Sequence, residues 1–192
     1  MLERSDVKTQ LGIIRNVSRR TFNNRVWGAG VAVFDPELEN VLLLESRHNR
    51  VHEFPGGGLD LISRTIERMT RRFEDNRGVY SVPSMRNTAE NELKEETGIT
   101  KAKLVERVAL VATYHGQNPR DTYTVFGAIA SRHIPVEELT LQESEINTKN
   151  GPGALWLPRT DVAEIGPVHF ALSQGAIDDA YTILYDRLGT AP

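Results

Sequence analysis

Residues 91–99 read Asn-Glu-Leu-Lys-Glu-Glu-Thr-Gly-Ile, and three of them carry carboxylates at the spacing i, i+3, i+4. On a helix advancing about 100° per residue, Glu95 and Glu96 lie within about 60° of Glu92. Like charges this close cost a few tenths of a kcal/mol per pair in an isolated helix. Lys94, the nearby cation within the segment, points roughly 160° from their mean direction and does not neutralise them. Compensation has to come from outside the helix. Clustered carboxylates are hard oxygen donors, and the cation that matches them is a hard divalent one such as Mg²⁺. Metal-assisted chemistry is the first expectation for this chain.

The elements that position the three glutamates follow from pattern. Gly98 suits a left-handed C′ residue and ends the helix there, while Pro83 fits the first turn of a helix beginning between Ser81 and Ser84. Upstream, Val26 to Phe34 and Val41 to Leu44 read as strands, the second fully buried. The run Pro55-Gly56-Gly57-Gly58 reads as loop, with Asp60 as an N-cap for the next segment. From Leu61 to Asp75, Ile62, Ile66, Met69 and Phe73 recur at steps of four, three and four, which predicts an amphipathic helix. Its other face carries Arg64, Arg68, Arg71 and Arg72. Downstream, Lys103–Tyr114 and Thr122–Ser131 are strand candidates, residues 134–152 look irregular, and Ala154 to Leu157 resumes an extended run. Ile177, Ala180, Tyr181, Leu184 and Leu188 give a closing helix stopped by Gly189. Strands and helices alternate without a regular βαβ rhythm, so the expected class is α/β of the α+β type, a mixed sheet with helices packed on its faces.

Composition narrows the rest. A chain of 192 residues fits a single domain spanning 1–192 and buries roughly 70% of its unfolded surface. With 26% charged and 39% hydrophobic residues, it falls in the ordinary globular range. No apolar run approaches the roughly 18 residues of a bilayer span, and no signal-peptide pattern opens the chain. The absence of cysteine removes disulfides, thiolate zinc sites and cysteine nucleophiles, and fits a cytoplasmic setting. A net charge of −3 argues against bulk affinity for nucleic acid. Residues 1–25 nevertheless form a basic arm with Arg4, Lys8, Arg15, Arg19, Arg20 and Arg25, read either as a solvated segment or as a polyanion contact.

The order Phe54-Pro55-Gly56-Gly57-Gly58, then Ala89, then Glu92-Leu93-Lys94-Glu95-Glu96-Thr97-Gly98-Ile99 resembles the Nudix hydrolase family. That family's box joins a glycine loop and a glutamate to a helix ending in Arg-Glu-apolar-any-Glu-Glu-any-Gly-apolar. The second half matches at every position but the first, where Asn91 replaces arginine. In the first half, counting back without gaps puts Pro83 at the glutamate position and Arg77 at the glycine position. Aligning the actual glycine loop instead requires a helical insertion at about 61–82 inside the box. Both box partners, arginine and glutamate, are then missing together. Losing one partner of a buried pair strands a charge, whereas losing both can be nearly neutral. Glu67 and Glu74 of the insertion are possible substitutes, although no spacing argument supports either.

The resemblance implies hydrolysis of the pyrophosphate bond in a nucleoside diphosphate linked to another group. Glu92, Glu95, Glu96 and the Gly57 carbonyl would hold Mg²⁺ or Mn²⁺, with Gly57 and Gly58 also meeting the substrate. The general base would come from a later loop, where Glu143 and Glu145 are preferred over Glu137 and Glu138. Arg64 and Arg68 either contact substrate phosphates or belong to an exposed face, and the apolar stripe behind them could pack on a second subunit as a homodimer. His115 and His169 are possible substrate contacts; Phe54, Phe126 and Trp156 serve equally as base-stacking or core residues. The competing reading is a Nudix-fold nucleotide-binding or regulatory module that has lost catalysis. The Arg face has a direct test. If it meets phosphate, Arg64→Glu with Arg68→Glu raises KM for a nucleotide substrate; unchanged KM and turnover assign it to solvent.

Overall fold

In the computed structural model, the described residues are 26–47, 50–58, 82–117, 121–143, 146–148 and 153–189. The basic arm and the amphipathic segment at 61–75, with Arg64 and Arg68, lie outside them. Among the described residues, seven strands form one mixed sheet. They are β1 (Val26–Phe34), β2 (Asn40–Glu45), β3 (His52–Glu53), β4 (Gly56–Gly58), β5 (Ala109–His115), β6 (Asp121–Ile129) and β7 (Ala154–Pro158). The main path runs β3-β2-β1-β6-β5, with β4 added to β1 and β7 to β2. Helix α1 (Val82–Thr97) covers one face, and α2 (Phe170–Ser173) with α3 (Ala176–Gly189) covers the other.

The centre of the sheet is the parallel pairing of β1 with β6, in register from Val26 opposite Asp121 to Phe34 opposite Ile129. Parallel strands covered on both faces are apolar on both faces. Ala29, Val31 and Val33 accordingly point towards α1, while Ala32 and Phe34 point towards α2 and α3. On the α1 side, Met85, Ala89 and Leu93 recur every four residues and pack with Phe126 and Ala128. On the opposite side, Ala180 and Leu184 of α3 are fully buried against Val125 and Ile129. Burying a leucine of this kind contributes roughly 1.5–3 kcal/mol.

Several boundaries differ from the sequence pattern. The glycines at 56–58, expected as loop, form a strand antiparallel to β1, with Gly56 opposite Gly30 and Gly58 opposite Gly28. Tertiary pairing overrides the turn preference because two backbones without side chains approach one another closely. Strand β5 starts only at Ala109; the residues before it form a short 3₁₀ turn at Lys101–Lys103 and a single bridge from Leu104 to Ala130. The two-residue β3 and four-residue α2 are too short to leave a periodic signal.

Helix α1 keeps its expected limits. Pro83 sits in the first turn, and Gly98 follows the last residue with φ +71°. The Gly98 amide donates to the Lys94 carbonyl at 2.9 Å, closing the helix with a single left-handed turn. The Thr97 hydroxyl adds a bond to the Leu93 carbonyl and accepts from the Ile99 amide. A Cβ at Gly98 would also crowd Thr140 at 3.1 Å. Gly98→Ala is therefore expected to destabilise the fold by about 1–2 kcal/mol, the usual cost of the left-handed conformation, read as a lower urea midpoint with an unchanged m-value.

Candidate active site

The rotation of α1 about its own axis decides what each glutamate meets. The buried stripe of Met85, Ala89 and Leu93 centres within about 20° of the direction of Glu96. Glu96 is thereby carried under the sheet and is 4% exposed. Glu92, at the rim of the stripe, is half-buried, and Glu95 is exposed. The three share one side of the helix but occupy three different environments.

Burial of Glu96 demands a donor, because an ionised carboxylate removed from water is costly unless hydrogen-bonded. The Gly56 amide supplies it, donating to Glu96 Oε2 at 2.7 Å. Such charge-assisted bonds are shorter and stronger than neutral ones. The next residue completes the contact, since a Cβ at Gly57 would fall 2.8 Å from Cδ and Oε2 of Glu92. Glycine at 57 therefore lets the Glu92 carboxylate rest directly on the strand backbone. Helix and glycine strand form one surface.

The other side of the glycine strand holds a residue that the sequence pattern did not single out. Tyr123 of β6 lies over Gly28, Gly30 and Gly56. A Cβ at Gly28 would sit 2.6 Å from its ring, and one at Gly30 or Gly56 would overlap its hydroxyl oxygen. Burial holds the phenol protonated well above its ordinary range, reinforced by the charges of Glu53, Glu96 and Glu92. Glu53, immediately before Phe54-Pro55-Gly56, is a further acid missed from the pattern. The readable signal for Tyr123 was the Gly28-x-Gly30 alternation, which leaves a groove along one face of β1.

His169 packs at a tilt against Tyr123 with ring centroids 4.5 Å apart, and Phe170 meets it edge-on at 6.4 Å. His169 also caps α2, accepting from the Ala171 amide at Nδ1. Its proposed substrate-contact role thus competes with a structural one. Phe54 and Phe126 are buried in the two cores, which resolves them as packing residues. The Trp156 indole donates to the Ile134 carbonyl at 2.7 Å and packs at the edge of the core. His115 is exposed, and Tyr114 is buried with its hydroxyl donating to Asp179. On the far flank of α1, Glu90 is a second buried acid, paired with Lys101 at 2.7 Å.

Glu143 is exposed, on a segment fastened to the end of α1: the Thr140 amide donates to the Thr97 carbonyl at 3.0 Å and the Gln142 amide to the Glu96 carbonyl at 3.4 Å. Glu145 lies outside the described residues. Gly58 is exposed at the end of β4. Among the described residues, no three histidine or acidic side chains converge into a group that could hold a metal ion. The oxygen donors brought together are Glu92 and Glu96 beside the backbone of Gly56 and Gly57.

No protein-family profile matches the chain, and no curated protein matches it. Solved structures do. An Ap4A hydrolase from C. elegans, in a binary complex, superposes with a TM-score of 0.53 at 16% identity, covering 85% of this chain and 99% of its own. The Nudix domain of NrtR from Shewanella oneidensis, in complex with ADP-ribose, gives 0.51 at 17% identity over 83% and 88%. A Nudix hydrolase from Nitrosomonas europaea gives 0.53 at 14% identity over 82% and 89%. The chain has the Nudix fold.

The histidine at the end of this site sets a pH dependence. Burial lowers the His169 pKa to about 4 from 6.5, so the unfolded chain binds a proton that the folded chain refuses. Stability is fully present above pH 6.5 and declines as the pH falls from 6.5 towards 4. At about 1.4 kcal/mol for each pH unit, the loss is capped at roughly 3 kcal/mol. His169→Asn keeps a capping acceptor and removes the titration; urea midpoints across this window should flatten relative to the wild type.

Proposed function

We propose that this chain is a Nudix-type hydrolase that cleaves the pyrophosphate bond of a nucleoside diphosphate linked to another group. The observation that carries the reading is the bond from the Gly56 amide to Glu96, with Glu92 resting on Gly57. It joins the glycine segment and the acidic helix into one oxygen-rich surface despite the long interval between them in sequence. Glu92 and Glu96, with the Gly57 carbonyl, would hold Mg²⁺ or Mn²⁺, and Glu95 would join them from the exposed side. Carboxylates and a carbonyl are the donor types that these ions take, and magnesium retains waters and substrate oxygens in its remaining positions. When bound, such an ion supplies charge neutralisation for the pyrophosphate oxygens and a more acidic water.

The chain's own groups do the rest. Gly56 fixes the direction of the Glu96 carboxylate, and the absence of a side chain at Gly57 leaves room for the Glu92 carboxylate against the strand. Glu143, on the segment tied to Thr97 and Glu96, would serve as the general base, with Glu145 as its alternative two residues further on. Gly57 and Gly58 present backbone to the substrate, and Arg64 and Arg68 offer cations to its phosphates from the inserted segment. A catalytically impaired nucleotide-binding module is the second reading, favoured by Asn91 and by the separation of the three glutamates into different environments.

Turnover of ADP-ribose, diadenosine tetraphosphate, nucleoside triphosphates and nucleotide sugars with Mg²⁺ or Mn²⁺ tests the proposal, alongside calorimetric Mn²⁺ binding. Glu96→Gln and Glu92→Gln are expected to lower kcat by on the order of 100-fold or more and to weaken Mn²⁺ binding. Absence of metal-dependent turnover across the panel overturns the hydrolase. Nucleotide binding indifferent to metal and to both substitutions supports the module.

A further inference from the structure

We propose that Tyr123 is a positioning residue, whose side chain sets the seating of the Gly56–Gly58 strand against Glu92 and Glu96. Its role is steric. The ring starts beside Gly28 on β1, and the hydroxyl ends between Gly30 of β1 and Gly56 of β4, filling the space that three side chains would otherwise occupy. His169, tilted, and Phe170, edge-on, pack against its ring. Strand β4 is consequently held from both sides. Tyr123 lies on one face of Gly56, while the opposite face of the next residue, Gly57, carries the Glu92 carboxylate. The Gly56 amide meanwhile donates to Glu96.

A three-residue strand of glycine has no side chains with which to fix its own position, and glycine has the largest backbone freedom to lose. Pairing with β1 supplies register, and the bond from the Val31 amide to the Pro55 carbonyl at 2.9 Å anchors one end. Neither sets the height of β4 above the tyrosine face. The phenol does, so a smaller residue at 123 lets the strand sink away from α1 and lengthens the Gly56–Glu96 bond. This rests on the reading of Glu92 and Glu96 as working carboxylates for its catalytic consequence, and not for its structural one.

Amide hydrogen exchange by NMR on the full chain separates the two. In Tyr123→Leu, the Gly56 amide should exchange at least about tenfold faster than in the wild type, while Val33 and Ala128, paired further along the sheet, keep their protection. Tyr123→Phe keeps the ring beside Gly28 but removes the hydroxyl that meets Gly56, so Gly56 exchange should rise by an amount between the wild type and Tyr123→Leu. With a nucleotide substrate, Tyr123→Leu should lower kcat by about tenfold or more with little change in KM, and Tyr123→Phe should fall between it and the wild type. Gly28→Ala, whose new methyl meets the tyrosine ring before any other atom, should reproduce the Gly56 effect; it carries the test if Tyr123→Leu does not fold. Exchange at Gly56 that is unchanged, or that rises no more than at Val33 and Ala128, overturns the proposal. A wild type without turnover removes the hydrolase reading and leaves the exchange result to stand on its own.

Discussion

A carboxylate buried beneath a strand of glycines is the constraint on which the rest of this molecule depends. Glu96 cannot be removed from water without a donor, and the donor is a main-chain amide some forty residues earlier, Gly56. That bond ties the N-terminal half of the sheet to the helix that crosses it. It also explains the glycines. A side chain at 56 would collide with the Ala29 carbonyl and with Tyr123, and one at 57 would displace Glu92. The strand is bare because both of its faces are already occupied.

The acidic helix shows how packing differentiates identical side chains. Met85, Ala89 and Leu93 choose which direction of α1 faces the sheet, and that choice places Glu96 inside, Glu92 at the margin and Glu95 in solvent. Three equal charges become one structural ligand of the backbone, one residue at the junction and one accessible group. The buried charge of Glu96 is compensated by a backbone amide, that of Gly56. Lys94 stays on the outer side, as its angular position requires.

Much of this was legible in the residues. The limits of α1, the strands at 26–34, 41–44 and 154–157, and the closing helix follow from periodicity, Pro83 and Gly98, because each is a local property of the chain. The glycine strand was not legible, since glycine's own preference points to a turn and only its partner, another glycine-rich strand, makes it extended. Tyr123 and Glu53 escaped for the same reason: their importance lies in what faces them from strands distant in sequence. The absolute rotation of α1 was available in principle from the four-residue spacing of its apolar stripe, set against the direction of the glutamates. Phe54 and Phe126, ambiguous as sequence, become core residues only once both faces of the sheet are known to be covered.

The parallel pairing of β1 with β6 has a kinetic consequence. Val26 meets Asp121 and Phe34 meets Ile129, so the central ladder closes only after a detour of nearly a hundred residues. Loop-closure entropy must be met before that ladder returns any energy, which makes it a late event in folding. On a ribosome adding about 5–20 residues per second, β1 waits roughly 5–20 s for its partner. During that interval its apolar edge is open to other chains. The antiparallel contacts with β2 and with the glycines of β4, both encoded much sooner, cover the opposite edge first and leave a single side to be guarded until β6 arrives.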